Sequence, residues 1–500
     1  MKKLQFPTAL TVLLIIAAFV AGLTWLIPAG AFERLAYEKD KNQFVHKAKD
    51  GDKVYHATQE GMDQLGIKIP LEKFTEGDIW KPVGIPGTYH RLEPRPQGLV
   101  AFIQSPLQGI TKAIDVILFV LIIGGFIGVV NYSGAFDAGV AWLAKPLKGR
   151  EALLIVFITS LIAVCGTTFG LAEETIAFYP ILVPVFLAAG YDAMVALASI
   201  YICSSIGTMC STVNPFSAII ASDSAGINWT TGIYGRLFML TAGTGICLWY
   251  IIRYAQKVKK DPSKSIIFDQ KEAIEKQFGT KGEAAANTFN NRIRLILLAF
   301  ITCFVVMIYG VSKLDWWFME MTTVFFVGSV LIGVIAWMGE KTFVAEFVKG
   351  ANDLLSVALI IGLARGVTVL MEDGLISDSL LQYSSNIVEG TPKGIFINLM
   401  LFLYAGLSFF IPSSSGMAVL SMPIMAPLGD VVSVSREFIV NAYQYGMGLM
   451  AFITPTGLIL ASLAMVNVTY DKWLRFVMPL LLILTLFTMA VLTAQVYIQG

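Results

Sequence analysis

From about Thr8 to Ile27 the chain runs for some twenty residues without a charge. Similar runs recur near 114–131, 229–252, 295–311, 316–338, 354–371 and 473–497. A helix of about twenty apolar residues matches the ~30 Å hydrocarbon core of a bilayer. Of the 500 residues, 56% are hydrophobic and 14% charged, against about 25% charged in soluble domains, so the solvent this chain folds in is lipid. The expected fold class is an all-α polytopic membrane protein. Its first run follows Lys2 and Lys3 and ends near Ala29-Gly30-Ala31, in the manner of a secretory leader, but it is long for a leader's apolar region and reads as a retained spanning helix.

Other function classes recede on composition. A net charge of +1 implies no polyanionic partner and no nucleic acid. Cys165, Cys203, Cys210, Cys247 and Cys303 all lie in apolar segments without C-x-x-C spacing, which suits small buried hydrophobes rather than disulfides or metal ligands. His46, His56 and His90 share one polar loop, and no H-E-x-x-H helix or G-x-S-x-G elbow occurs. No enzyme is expected.

Residues 33–96 form that polar loop, in which Lys49-Asp50-Gly51-Asp52 between Phe44-Val45 and Val54-Tyr55 predicts a β-hairpin; the segment reads as a small extracytoplasmic cap. Ten Lys or Arg mark 253–294 as a cytoplasmic linker. Lys2, Lys3, Lys145, Lys148 and Arg150 fall on the linker's side, and Lys341, Lys349, Lys472 and Arg475 join them if two interrupted apolar stretches, 152–188 and 394–428, are re-entrant hairpins. The positive-inside rule then places the N-terminus in the cytoplasm and the C-terminus outside the inner membrane. Two further helices are broken, at Thr212-Val213-Asn214-Pro215 and at Thr454-Pro455-Thr456.

The halves resemble each other. Asp115, Gly124 and Gly128 recur as Asp353, Gly362 and Gly366 at an offset of 238; Pro180 and Pro184 recur as Pro423 and Pro427 at 243; Asn214-Pro215 aligns with Thr454-Pro455 at 240. With the charge reading, these are two inverted repeats, 1–252 and 295–500, each with a re-entrant hairpin and a broken helix. Discontinuous helices in inverted repeats mark transporters: an irregular backbone at membrane depth is tolerated only where protein, ions or water pair its polar groups. The breaks therefore point to a central polar site.

The first hairpin tip carries Glu173 and Glu174 after Gly166-Thr167-Thr168-Phe169-Gly170. Carboxylates at membrane depth are costly, and here they hold a cation, a proton or a substrate ammonium group, or else pair with Arg365. Adjacent residues point about 100° apart, so Glu174 could instead orient the tip. The second tip, Ser413-Ser414-Ser415-Gly416, offers hydroxyls and free amides at a helix start, suited to a carboxylate or to capping. Thr212, Asn214, Thr454 and Thr456 flank the broken helices and either coordinate sodium or satisfy the breaks. Arg365, alone in the apolar run 359–370, binds a substrate carboxylate or pairs with Glu173 or Glu174. Asp115 and Asp353 read as helix-start stabilisers. The candidate substrate-binding set is Glu173, Glu174, Ser413, Ser414, Ser415, Gly416, Asn214, Thr454 and Arg365; the candidate ion-binding set is Thr167, Thr168, Glu173, Thr212, Asn214, Ser414, Thr454 and Thr456.

Gly170-Leu171-Ala172-Glu173-Glu174-Thr175-Ile176-Ala177-Phe178, Ser413-Ser414-Ser415-Gly416, Met422-Pro423 with Ala426-Pro427-Leu428-Gly429-Asp430, and Pro455-Thr456 together make the chain resemble the YfcC group of the DcuC-type anaerobic C4-dicarboxylate carriers. The resemblance covers most of the chain. It implies the ion transporter superfamily fold: a scaffold with mobile transport domains, two hairpins and two unwound helices, usually dimeric. Sodium symporters of that superfamily carry Ser-Asn-Thr at both tips, where this chain has Gly-Leu-Ala-Glu-Glu and Pro-Ser-Ser-Ser. Members of the family are described both as dicarboxylate carriers and as basic amino-acid antiporters. The expectation is a secondary active carrier of a dicarboxylate or amino acid, driven by sodium or protons, with basic amino-acid exchange as the alternative and a channel or ligand sensor as the other class; no cofactor is expected.

Overall fold

The computed structural model describes residues 7–67, 69–75, 79, 82–135, 138–139, 151–278, 290–314, 316–388 and 391–498. Lys2, Lys3, Lys145, Lys148 and Arg150, on which the orientation reading leans, and 279–289 of the linker lie outside the described residues. Among the described residues, nine helices are long and apolar enough to cross a membrane. The expected runs appear as Ala9–Leu26, Ile114–Tyr132, Ile233–Lys260, Asn291–Lys313, Phe318–Ile335, Leu355–Asp373 and Tyr470–Ile498. The third of these continues past the expected linker start at 253, carrying Lys257, Lys259 and Lys260 in its last turn. Basic residues there complement the helix dipole.

Three helices went unread in the sequence because their apolar residues occupy only one face, Leu99–Lys112, Glu340–Asp353 and Ser377–Val388, and the first two shape the scaffold. Each of these two is followed, across a one-residue kink at Ala113 or Leu354, by a nineteen-residue apolar helix, Ile114–Tyr132 or Leu355–Asp373. Asp353 thus ends a helix, where the sequence suggested it begins one. The two kinked pairs pack on each other crosswise: Leu99–Lys112 on Leu355–Asp373, and Glu340–Asp353 on Ile114–Tyr132. Gly109 meets the backbone of Gly362 and Gly366, and Gly350 meets that of Gly124 and Gly128. The glycines that recur between the halves are therefore the floors on which a glycine from the other half lies. Lipid provides no hydrophobic drive for helix association, so this backbone-to-backbone approach carries the packing. Ala9–Leu26 and Phe318–Ile335 flank the assembly in matching fashion, on Leu355–Asp373 and Ile114–Tyr132, and Phe119, Phe126, Phe304, Phe318 and Phe325 interlock edge to face beside it.

The second body is built from the interrupted segments. Glu151–Phe169 packs on Ala193–Met209, and Lys393–Phe410 packs on Arg436–Ala451. Ala193–Met209 and Arg436–Ala451 meet at the centre, with Ile233–Lys260 and Tyr470–Ile498 outside them. Ala193–Met209 is buried along nearly its whole length, and Asp192 caps it by accepting from the Val195 amide at 3.0 Å.

Residues 33–96 hold more β-structure than the sequence suggested, so the all-α expectation describes the helical bodies and not this unit. A four-stranded sheet runs Gly51–His56, Gln43–Ala48, Arg34–Glu38, Val83–Gly84. The expected hairpin is present, with Phe44 opposite Tyr55 and Val45 opposite Val54, and Gly51 adopts φ +115° where the chain turns. Leu35, Phe44, Met62, Phe74 and Val83 form the unit's own core.

A Cβ at Gly350 would lie 2.9 Å from Gly128 Cα and closer still to the Gly124 carbonyl, whereas one at Gly245 would meet open space. Gly350→Ala is expected to cost about 1–3 kcal/mol through overpacking, read as a lower melting temperature in detergent, while Gly245→Ala leaves the transition unchanged or raises it.

Candidate functional site

The first hairpin ends its entering helix at Phe169 and turns through Gly170, at φ +78°, into a 3-10 turn from Glu173 to Phe178. A Cβ on Gly170 would sit 2.7 Å from Asn214 Nδ2, so glycine is needed twice, for the left-handed backbone and for the approach to the first broken helix. That helix stops at Met209 and resumes as a π-turn at Pro215–Ile219 followed by Ile220–Ser224. Its backbone groups are satisfied by the hairpin: the Thr167 hydroxyl donates to Cys210 O at 2.9 Å, and the Thr212 amide donates to Thr167 Oγ1 at 3.0 Å. Asn214 accepts from the Phe216 amide at 2.8 Å and donates to Ser211 Oγ at 3.4 Å. Tip and break form one polar knot.

The second hairpin is built alike. Lys393–Phe410 ends, and Ser413 caps Ser414–Val431 by accepting from the Gly416 amide at 3.2 Å. The Ser414 carbonyl accepts from the Tyr443 hydroxyl at 2.7 Å. At the second break Thr456 donates to Phe409 O at 2.8 Å, and its hydroxyl lies 2.8 Å from that of Thr454.

The two knots face a common cavity of about 580 Å³. Glu173, Glu174, Asn214, Arg365, Ser413, Ser414, Ser415, Thr454 and Thr456 line it; Gly416, Thr167, Thr168 and Thr212 do not. Thr167 and Thr212 join tip to break, and the Thr168 hydroxyl bonds back to Val164 O at 2.8 Å. The adjacent carboxylates diverge: Glu174 Oε2 accepts from the Ala172 amide at 3.0 Å, while Glu173 has no ion-pair partner among the described residues. Arg365 likewise makes no ion pair with a described carboxylate, although it shares the cavity with both glutamates. The wall also includes Gln444, Ser217, Thr368, Phe216 and Trp317, which the sequence reading missed. Gln444 was findable, as an amide inside the apolar helix Arg436–Ala451, and so was Thr368, one turn from Arg365. Trp317 and Phe216, with ring centres 5.4 Å apart, carry no such signal. No cluster of His, Cys, Asp or Glu suited to a metal ion occurs among the described residues, and the five cysteines are free thiols.

Residues 6–497 match the family model of the C4-dicarboxylate anaerobic carriers, DcuC. The chain belongs to the DcuC family. Among similar proteins, an uncharacterized protein of Haemophilus influenzae is 44% identical over 499 residues, covering 99% of this chain and 98% of its own length. YfcC of Escherichia coli K12, which carries a provisional description as a basic amino acid antiporter, is 30% identical over 495 residues, covering 95% and 93%. The YfcC resemblance read from the tips thus holds. In solved structures, the YdaH transporter of Alcanivorax borkumensis aligns over 99% of both chains at 12% identity and a TM-score of 0.42. MtrF of Neisseria gonorrhoeae, described with a class of antimetabolite efflux pumps, aligns over 99% of this chain and 96% of its own at 14% identity and a TM-score of 0.38. As a DcuC family member with nine candidate spans among its described residues, the protein is a multi-pass membrane transporter.

Thr167→Val would remove the hydroxyl that donates to the Cys210 carbonyl and leave the Thr212 amide only its longer contact to the Thr167 carbonyl at 3.2 Å. The expected cost is about 1–3 kcal/mol, measured as a fall in thermal stability, with Thr168→Val, whose hydroxyl bonds only within its own helix, as the milder control.

Proposed function

We propose that this DcuC family member is a secondary active transporter of small carboxylate-bearing metabolites, a C4-dicarboxylate or an amino acid, working by elevator-type alternating access in the bacterial inner membrane. One observation carries the reading: Glu173 and Glu174 on one tip, Ser413–Ser415 on the other, and Arg365 from a third helix share one cavity. The hydroxyls, the amides at the start of Ser414–Val431 and Arg365 suit a carboxylate. Glu173 suits a cation, supplied by a substrate ammonium group, by a proton or by sodium. An amino acid satisfies both sides alone; a dicarboxylate does so together with the coupling ion. Basic amino-acid exchange is the second reading, favoured by the unpaired Glu173 and by the description that YfcC carries.

The kinked, crosswise-packed helix pairs support two inverted repeats, 1–252 and 295–500, in which hairpins 152–188 and 394–428 are re-entrant. In this reading the kinked pairs form a fixed scaffold, the hairpins and broken helices move as a body, the N-terminus is cytoplasmic, the 33–96 cap is extracytoplasmic, and the protein is a homodimer.

Thermal stabilisation of the purified protein by succinate, fumarate, citrate, arginine and ornithine, with and without sodium, tests the substrate. A ligand at about 100 times its Kd stabilises by roughly 2.7 kcal/mol. Sodium-dependent stabilisation by a dicarboxylate supports symport; sodium-independent stabilisation by arginine or ornithine supports exchange; no response to the whole panel would sink the carboxylate reading. Counterflow that saturates separates a carrier from a channel.

Glu173→Gln is expected to fold normally and lose gradient-driven uptake, and full uptake by that variant would remove Glu173 from the coupling site. Ser414→Ala is expected to weaken apparent affinity severalfold, by the loss of about one hydrogen bond of roughly 1 kcal/mol, read from the ligand dependence of the melting temperature.

A further inference from the structure

The β-rich cap is tied covalently to one body and docked on the other. Its chain leaves Ala9–Leu26 through residues 27–29 and returns to Leu99–Lys112 through 92–98, and both helices pack on Leu355–Asp373. The stalk is short and knitted: the Leu92 amide donates to Ala29 O at 2.9 Å, and the Gln97 amide donates to Thr24 Oγ1 at 2.8 Å. Three residues reach about 10 Å even when fully extended, so the cap cannot travel far from those helices.

Its far side rests on the hairpin body. Gly84 lies so near Ser414–Val431 that a Cβ there would be 3.4 Å from the Leu420 carbonyl and 3.8 Å from Ile424 Cδ1. Lys73 Nζ reaches Asp223 Oδ1 at 3.5 Å. Asp223 lies in Ile220–Ser224, the resumed part of the first broken helix, and is 1% exposed. A second anchor holds the cap's edge, where Arg34 donates to Asp378 at 3.1 and 3.2 Å and the Phe32 amide donates to the same carboxylate at 3.0 Å.

We propose that the cap is a releasable strap that holds the hairpin body on its own side of the protein, with the Lys73–Asp223 contact as its latch. The inference rests on the two-body reading above. A body that moves while the scaffold stays must part from a cap that the scaffold holds, and parting leaves a buried carboxylate without its lysine. Asp223 is buried while Lys73 is 27% exposed, and withdrawing a cation from a buried carboxylate is costly, so the latch weights the equilibrium toward the docked position.

The test uses full-length protein in vesicles, with Ser415→Cys on the cavity wall labelled by a membrane-impermeant maleimide from each face in turn. Labelling needs no transported substrate, so its outcome is separate from whether succinate or arginine is carried. Lys73→Met and Asp223→Asn are expected to lower the ratio of cap-face to opposite-face labelling about tenfold, since the undocked position gains population. The charge reversal Lys73→Glu with Asp223→Lys is expected to restore it. Ratios within about twofold of the parent in the single variants overturn the strap, as does a reversal that leaves the ratio shifted, which would trace the effect to local damage. Lys73→Met, which keeps the apolar stem of a cap-surface residue, carries the test should Asp223→Asn not fold.

Discussion

In an apolar medium a backbone amide or carbonyl without a partner costs several kcal/mol, and among the described residues helices are interrupted at both hairpin tips and at the two breaks beside them. Everything about the central cavity depends on how those interruptions are reconciled. Each hairpin tip settles against the break beside it: Thr167 serves Cys210 and Thr212, and Phe409 accepts from Thr456. Pairing tip with break makes an irregular backbone affordable and leaves groups that neither partner consumes facing the space between the knots. Glu173 and Arg365, which make no ion pair among the described residues, line that space together with Ser414. The polar lining of the cavity is what remains once the backbone has been satisfied.

The scaffold solves a different problem with the opposite means. It has no breaks of that kind, only two kinks, and it gains cohesion by removing side chains. Gly109 and Gly350 bring backbones into contact with glycines of the other half, and van der Waals packing does in lipid what burial does in water. Such contacts tolerate little change in shape, which suits a static frame. The hairpin body is held by hydrogen bonds within itself and meets the frame across the cavity, where the aromatic pair Phe216 and Trp317 bridges the two.

Much of this was legible in the residues. Apolar length gave the spans, the recurring glycines marked positions that the structure packs against one another, and Glu-Glu and Ser-Ser-Ser stood out because charge and hydroxyls are costly in apolar segments. The kinked amphipathic helices were not legible, since half of each is polar and a span search passes over them. The β-rich cap was half legible: one hairpin turn announces itself through Gly51, but strands as short as Val83–Gly84 carry no periodicity. Trp317 and Phe216 read as ordinary apolar residues, because an aromatic ring looks alike in sequence whether it lines a cavity or fills a core.

Composition and local pattern were enough to determine that the chain lives in a membrane, where its helices are interrupted and which polar residues those interruptions expose. These follow from transfer free energies and backbone geometry, which act residue by residue. Tertiary structure alone decided which of those residues meet. Glu173 and Glu174 are neighbours in the chain, yet Glu174 turns back on the Ala172 amide while Glu173 makes no ion pair among the described residues, and Arg365 shares their cavity without an ion pair to either. Thr167 and Thr212, alike in sequence to the residues that line the cavity, are used up in holding it open. Partnership is a matter of distances between segments far apart in the chain, and no property of a single residue encodes it.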